Sequence, residues 1–398
     1  MNGEELKRLV CDRVDELAPR LIAASHDIHA HPELNYAEHH AHALLTDLLE
    51  EFGIQPQRHA YGLSTAFDAA VGSEGPVVAV LCEYDALPGV GHACGHNIIA
   101  AAGLGAGLAA AAVAEVSGGR LRIIGTPAEE GGGGKVRMAR AGAFDGIDAA
   151  MMVHPADADL LRIDSLAVQQ LDVTFHGKAA HAAAAPWEGR NALDAAVLAY
   201  VNIATLRQHI LPNERVHGVF TKGGEKANIV PSESAMNWYV RSGTIESLQA
   251  LKARVLACIQ SAALATGCTV THQWADNPYA EVADNSAMIA AYVANAARLG
   301  RLVLDPVISG KHVAGSTDMG NVSYLVPSIH PMIQASPPGV PIHSVEFALC
   351  AVSADGDRAV VDGAKAMAMT IVDLWTSPEL RDLVSAEFTS RQAEIPEM

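Results

Sequence analysis

The sequence predicts a two-domain α/β protein: a discontinuous domain with a mixed, largely parallel sheet, and an α+β, ferredoxin-like domain inserted into it. Three observations carry this. Short apolar runs alternate with helix-like segments over residues 1–167, the pattern of strands joined by crossover helices. Between 168 and 280 the order becomes strand, helix, strand, strand, helix, strand, which is the βαββαβ signature of a ferredoxin-like sandwich. The length of 398 residues also exceeds what one hydrophobic core ordinarily organises. The predicted boundaries are 1–167 with 281–398 for the first domain, and 168–280 for the insertion.

From Glu4 to Glu51 apolar residues recur at helical spacing, broken at His31-Pro32, because a residue before proline disfavours the helical conformation. Three strands follow. Residues 77–82 lead into Glu83-Tyr84-Asp85, 121–124 lead through Gly125-Thr126-Pro127 to Glu129-Glu130, and 149–153 lead into His154-Pro155. Asn97 reads as the N-cap of an Ala-rich helix. The nearly uncharged stretch 98–116 is too weakly hydrophobic for a membrane span and reads as a core helix. In the insertion, 171–175, 216–220, 235–240 and 268–272 read as strands, and 191–208 and 247–264 as helices. The first sheet is expected to resume near Leu302.

Half of the chain is hydrophobic but only 5% is aromatic, so Ala, Val, Leu and Ile must fill the cores. A net charge of −18 argues against nucleic acid and anionic membranes as partners. Six cysteines at 11, 82, 94, 258, 268 and 350 form no disulfide framework and fit a reducing compartment. The opening MNGEELKRLVCDRVDEL has no apolar signal region. The expectation is a soluble, cytoplasmic protein.

The residues able to do chemistry cluster just past predicted strand ends, where open α/β sheets form their sites. Asp85, Cys94, His96, Glu129, Glu130 and His154 can therefore converge. In GHACGHN (91–97) a thiol and an imidazole stand two positions apart on a glycine-permitted turn, able to face one cation. The following helix N-terminus should favour the thiolate. A Cys–His nucleophile pair is the other reading of the same segment. In TPAEEGGGGK (126–135) two adjacent carboxylates can divide the work, one on a metal and one as general base. The run lacks the spacing and the Lys-Ser/Thr of a phosphate loop. Spacing does not choose among His312, His330 and His343 as a further ligand. Together these residues form a mixed nitrogen, oxygen and sulfur set suited to zinc, with ligands enough for two ions. In the insertion, His181 could present a donor to an oxyanion, and Asn228 and Arg241 could hold a carboxylate.

Taken together, HDIHAHPELNYAE (26–38), CEYDALPGVGHACGHN (82–97), GTPAEEGGGGK (125–135), MVHP (152–155), FHGKAAHAAAAPWEGRNALDA (175–195), GSTDMGNVS (315–323) and GVPIHSVEFA (339–348) resemble the aminoacylase/carboxypeptidase family of dimetal metallopeptidases. The closest branch is the amidohydrolases that include aminobenzoyl-glutamate hydrolase and related dipeptidases. The resemblance implies a zinc-peptidase-like catalytic domain, and an inserted lid through which the chain forms a homodimer. It implies two divalent ions, Zn or Mn, held by Cys94, His96, Glu130, His154 and His343, with Glu129 as general base and Asp85 orienting a ligand. It further implies that His181 serves the site of the partner protomer, and that Asn228 and Arg241 bind the substrate carboxylate.

The expected activity is hydrolysis of the amide of an N-acyl or N-aroyl amino acid by metal-activated water. The alternative is a dipeptidase or carboxypeptidase acting on short dipeptides. A catalytically silent binding protein of the same fold and a Cys94–His96 nucleophile are the other classes weighed. Two departures from the family pattern stand out: Glu83 where many branches have histidine, and Asn97 where many relatives read CGHD.

Overall fold

The computed structural model describes residues 1–311 and 314–392, and the chain divides into two compact units. The first comprises Met1–Asp164 and Val282–Met398. It opens with helix α1 (Gly3–Ala30), started by a capping box between Asn2 and Glu5. Its apolar stripe Leu6, Val10, Val14, Leu17, Leu21 and Ile28 is buried, which is what a spacing of three and four residues dictates. Pro32 ends it, and α2 (His39–Glu51) follows.

The sheet of this unit contains β1 (Gln57–Arg58), β2 (Phe67–Val71), β3 (Val77–Cys82), β4 (Arg120–Gly125), β5 (Ala149–Met151) and, after β6 (His154–Ala156), β7 (Ser328–Ile329). Their order across the sheet is β1-β2-β4-β3-β5-β7. The pairs β3–β4, β3–β5 and β5–β7 are parallel, whereas β1–β2 and β2–β4 are antiparallel, so the sheet is mixed and largely parallel. A separate parallel pair joins β6 to β8 (Met332–Gln334). All six residues of β3 are buried, as a parallel strand covered on both faces requires.

Helix α3 (His96–Ala111) lies on β3 and is buried for nearly its whole length. A Cβ at Gly103 would come 2.8 Å from Cys82 Sγ, so the missing side chain sets how closely helix and sheet approach. Its N-cap is Gly95, not Asn97. Gly95 adopts φ +77°, a turn that asparagine cannot make as cheaply. Asn97 instead lies inside the first turn and donates to Ser25 Oγ (2.9 Å) and the Ala351 carbonyl (3.1 Å). Nor does the sheet resume near Leu302. That residue is 75% exposed and outside any strand, and the pairing strand is β7, where Ser328 and Ile329 are fully buried. Among the described residues no helix is long and apolar enough to cross a membrane.

The second unit, Ser165–Glu281, is a four-stranded antiparallel sheet of Ala167–His176, Arg215–Lys222, Glu233–Ser242 and Thr269–Trp274. Counted along the chain, the strand order is fourth, first, third, second. Helices Ala192–Leu206 and Ile245–Thr266 pack on this sheet. The strand 233–242 alternates strictly between buried and half-buried residues, burying Met236, Trp238 and Val240 against the helices.

Candidate metal centre

Strands β3, β4, β5 and β7 run in the same direction, so the turns after their C-terminal ends lie on one side of the sheet. Glu83 and Asp85 follow β3, Glu129 and Glu130 follow β4, His154 follows β5, and His330 follows β7. Cys94 and His96 come from the Gly95 turn into α3. His343 comes from the loop before helix Val345–Cys350 and is anchored by its backbone N–H donating to the Ala93 carbonyl at 2.7 Å.

Eight of these side chains meet, and His330 alone stands apart. Cys94 Sγ is 3.4 Å from His154 Nε2 and 3.3 Å from His343 Nε2. His96 Nδ1 lies 3.1 Å from Asp85 Oδ1, which fixes the ring and turns Nε2 toward the acids. That nitrogen is 3.5 Å from Glu83 Oε2, 3.7 Å from Glu130 Oε1 and 3.9 Å from Glu129 Oε2. Three sets of potential ligands arise: Cys94, His96 and His154; Cys94, Glu130 and His343; and His96, Glu129 and Glu130. Within each set the donor atoms lie within 4.8 Å of one another, and Cys94 belongs to two of them. Buried His96 Nε2 and Glu130 Oε1 have no hydrogen-bond partner among the described residues, an arrangement that is costly unless a cation completes it. The residues therefore fit a bound metal, and the thiol–imidazole–carboxylate chemistry suits zinc. His330 is fully buried behind His154, ring centroids 5.3 Å apart, and belongs to none of the sets. His312 lies outside the described residues.

Electrostatics sharpen the division of labour. Burial, reinforced by Glu83, Glu130 and Asp318, pushes the Glu129 carboxyl well above its ordinary range. Burial acts on Glu130 too, but the His343 imidazole 3.6 Å from Oε1 and the charge of His96 outweigh it and hold that carboxyl low. Two neighbouring carboxyls pushed apart in this way are suited to different roles. Burial also drives the Cys94 thiol up, with Glu130 adding to it. Without an ion, desolvation therefore opposes the pull of the helix N-terminus, and a cation beside the sulfur would favour the thiolate.

A buried triad that the sequence did not announce underlies the cluster. Lys135 Nζ is 2.5 Å from Glu83 Oε1 and 2.6 Å from Asp318 Oδ1, and all three side chains are 0% exposed. The Lys135 backbone N–H also donates to Asp318 Oδ2 at 2.8 Å. Glu38 is equally buried. It accepts from Tyr36 N, from Thr65 Oγ1 and, at 2.9 Å, from the backbone N–H of Ala128, the residue before Glu129. A cleft of about 450 Å³ reaches the cluster, with Asp157, Lys311 and Thr317 also on its wall, a size suited to a small molecule.

The remaining site candidates lie in the second unit. His181 is exposed and accepts from the Ala184 backbone N–H at 3.1 Å. Asn228 lies beside it, its carbonyl accepting from Ala182 N at 3.1 Å. Arg241 is half-buried over the Tyr239 ring, 5.6 Å from its centroid. It stands at the opposite end of strand 233–242, eight residues of extended chain or roughly 27 Å from Glu233, the end nearer Asn228.

The family model of peptidase family M20/M25/M40 matches residues 79–346. Along the whole chain the sequence is 42% identical to the Xaa-Arg dipeptidase of Mus musculus, covering 98% of this chain and 94% of that protein. It is 35% identical to a component of the p-aminobenzoyl-glutamate hydrolase of Escherichia coli, over 67% of this chain and 60% of the relative. The fold matches an aminobenzoyl-glutamate utilization protein from Klebsiella pneumoniae with a TM-score of 0.73 at 21% identity, covering 92% of this chain and 98% of the other. It also matches a dinuclear metal binding peptidase of the M20 family from Bacillus subtilis, with a TM-score of 0.71 at 22% identity over 91% and 99%. With the profile spanning most of its length and relatives running through the motifs that build the cluster, the chain belongs to peptidase family M20/M25/M40 and is a hydrolase of amide bonds.

Proposed function

We propose that the chain is a metal-dependent dipeptidase acting on short dipeptides with a basic C-terminal residue. The observation that carries this is 42% identity to an Xaa-Arg dipeptidase over 98% of the chain, against 67% coverage for the aminobenzoyl-glutamate relative. The reading of N-acyl or N-aroyl amino acids as substrate therefore yields to its alternative. The cleft wall supports the choice. Asp157 is its carboxylate outside the cluster, and it now faces Lys311 Nζ at 3.2 Å. A substrate guanidinium or ammonium would compete with Lys311 for it.

We assign Cys94, His96, Glu130, His154 and His343 as ligands of two divalent ions, the thiol favouring zinc over manganese. When bound, such ions polarise the scissile carbonyl and lower the pKa of a water. Glu129, its proton affinity raised by burial among like charges, takes the water's proton and delivers it to the leaving amine. Asp85 holds His96 in place through Nδ1. Asn228 and Arg241 of one copy stand too far apart along the sheet to hold the same carboxylate, so we assign His181 and Asn228 to the site of a second copy. The second unit offers a surface for that homodimer. Its edge strand exposes Val219 and Phe220, and the helix beside it exposes Val197, Tyr200 and Val201, with Tyr200 and Phe220 stacked at 5.9 Å. The free cysteines suit a reducing compartment, and we place the enzyme in the cytoplasm.

The test is a substrate panel of dipeptides ending in Arg, Lys, Glu or Leu, together with aminobenzoyl-glutamate and acetyl-amino acids, assayed with and without chelator. The highest kcat/KM belongs to the basic dipeptides, and chelation abolishes it until zinc or manganese is restored. Preference for aminobenzoyl-glutamate would sink the substrate assignment. Activity that survives chelation but not thiol alkylation would sink the metal.

A further inference from the structure

Residues 26–42 hold six histidines (26, 29, 31, 39, 40 and 42), and none of them is needed for the chemistry above. Two converge on one acid. His31 Nδ1 is 2.8 Å and His40 Nε2 is 3.2 Å from the same oxygen, Asp27 Oδ1. The two rings lie 4.3 Å apart, tilted by 39°, and the three donor atoms are all within 4.8 Å of one another. The edge of a tetrahedron of zinc ligands at ordinary bond lengths is about 3.3 Å, so two of the separations already approach coordination spacing.

We propose that Asp27, His31 and His40 form a peripheral cation site, separate from the Cys94 cluster, that takes a borderline transition-metal dication such as zinc. Local architecture builds it. Asp27 lies in the last turn of α1 and His31 is its C-cap four residues on, so both face the same way. His40 comes from the first turn of α2. One ion would thereby staple the two helices across the intervening segment. Two imidazoles with one carboxylate select zinc, nickel or copper over calcium or magnesium. His31 is exposed and Asp27 and His40 are half-buried, so an ion has access and the fourth position is open to water. His31 Nδ1 also lies 2.9 Å from the Asp27 carbonyl oxygen, a further hard donor at the same point.

The staple matters because of what the segment between the helices touches. The Glu33 carbonyl accepts from Ala86 N, next to Asp85, at 2.8 Å. Its carboxylate caps α2 by accepting from His40 N at 2.8 Å. Tyr36 donates its hydroxyl to the Gly132 carbonyl at 2.6 Å, and Glu38 accepts from Ala128 N. The segment thus braces both acidic turns of the catalytic centre. A cation that closes its two ends reduces the freedom of the brace, as any cross-link does.

The full-length protein, stripped with chelator and reloaded with excess zinc, tests this against His31→Gln/His40→Gln and, separately, Asp27→Asn. Metal is counted after desalting, and thermal melting is followed with and without zinc. Wild type carries one zinc per chain more than either variant, and part of its zinc-dependent rise in melting temperature is missing from both. Loading with cobalt separates this site from the other: the ion lost in the variants contributes no thiolate charge-transfer absorption, since its three ligands include no cysteine. Stripped variants that melt with stripped wild type show that the substitutions themselves are silent. Equal zinc counts in wild type and both variants overturn the site, whatever the Cys94 cluster holds. A lost ion that carries the thiolate absorption overturns it as well.

Discussion

Replacing Lys135 by methionine keeps most of the side-chain volume and removes only the ammonium between Glu83 and Asp318. The partners stand at 2.5 and 2.6 Å, and none of the three side chains reaches solvent. Two unit charges about 4 Å apart attract by about 4 kcal/mol at the effective dielectric of a protein interior. Stripping one member from a buried pair typically costs about 3–5 kcal/mol, because the charge left behind has neither water nor partner. Here two acids are left. Burial and Glu83 already hold the Asp318 carboxyl up at about 6, with Lys135 pulling the other way, so removing the ammonium forces proton uptake. The expected result is a loss of about 3–5 kcal/mol in urea denaturation of the chelator-stripped protein at neutral pH, with an unchanged m-value. Glu83→Gln in the same background should recover part of it. A loss below about 1 kcal/mol, the worth of an exposed pair, would refute the view that the triad supports the site from within.

Glu129→Gln should lower kcat by at least about 100-fold, the usual worth of a general base, with metal content by mass spectrometry unchanged; near-normal turnover would remove the assignment. Burial raises the Glu38 carboxyl from 4.5 to about 7 against its hydrogen bonds. A raised folded-state pKa means stability that is full below the unfolded value and is lost as pH climbs through the folded one. Wild type minus Glu38→Gln should therefore fall by about 3 kcal/mol between pH 4.5 and 7, and a flat difference curve would contradict this. Asn97→Asp brings the chain nearer the CGHD pattern, yet it removes donors to Ser25 and Ala351 and buries a carboxylate against a carbonyl. A destabilisation of about 3 kcal/mol is expected in calorimetry or denaturant melts, and a more stable variant would show that the departure at 97 is a defect rather than a fit.

What could be read in the sequence was what local pattern encodes. The all-apolar strand before Glu83, the pair Glu129-Glu130 after another strand, and Cys-x-His on a glycine turn each declare their place without reference to anything distant. Lys135 was different. Its partner Asp318 lies 183 positions away, and nothing in GGGGK or STDMG says that one is buried against the other. Asn97 looked like a cap because asparagine usually is one, but Gly95 alone could take the positive φ that the turn needed. The run around Leu302 reads as a strand because apolar residues cluster there, yet neighbours decide pairing, and that segment makes only an isolated bridge, Leu304 to Leu160, outside the main sheet. Cys94 shows the same limit: the pull of a helix N-terminus is visible in a sequence, and the depth of burial opposing it is not.

The same competition between local preference and tertiary constraint marks the backbone of the centre. Ala128 and His343 both take positive φ, +61° and +66°, conformations that cost a residue with a side chain about 1–3 kcal/mol each. Both are tied down from elsewhere. Glu38 accepts the Ala128 N–H, and the Ala93 carbonyl accepts that of His343. In each case the strained residue is, or immediately precedes, a group assigned to the reaction, and the tie comes from a segment distant in sequence. Relaxing Ala128 would swing Glu129 away from His96, and relaxing His343 would withdraw it from Cys94. The fold thus spends stability to aim two side chains that local preference would have pointed elsewhere, and the buried carboxylate of Glu38, itself unfavourable at neutral pH, is one of the means by which the aim is kept.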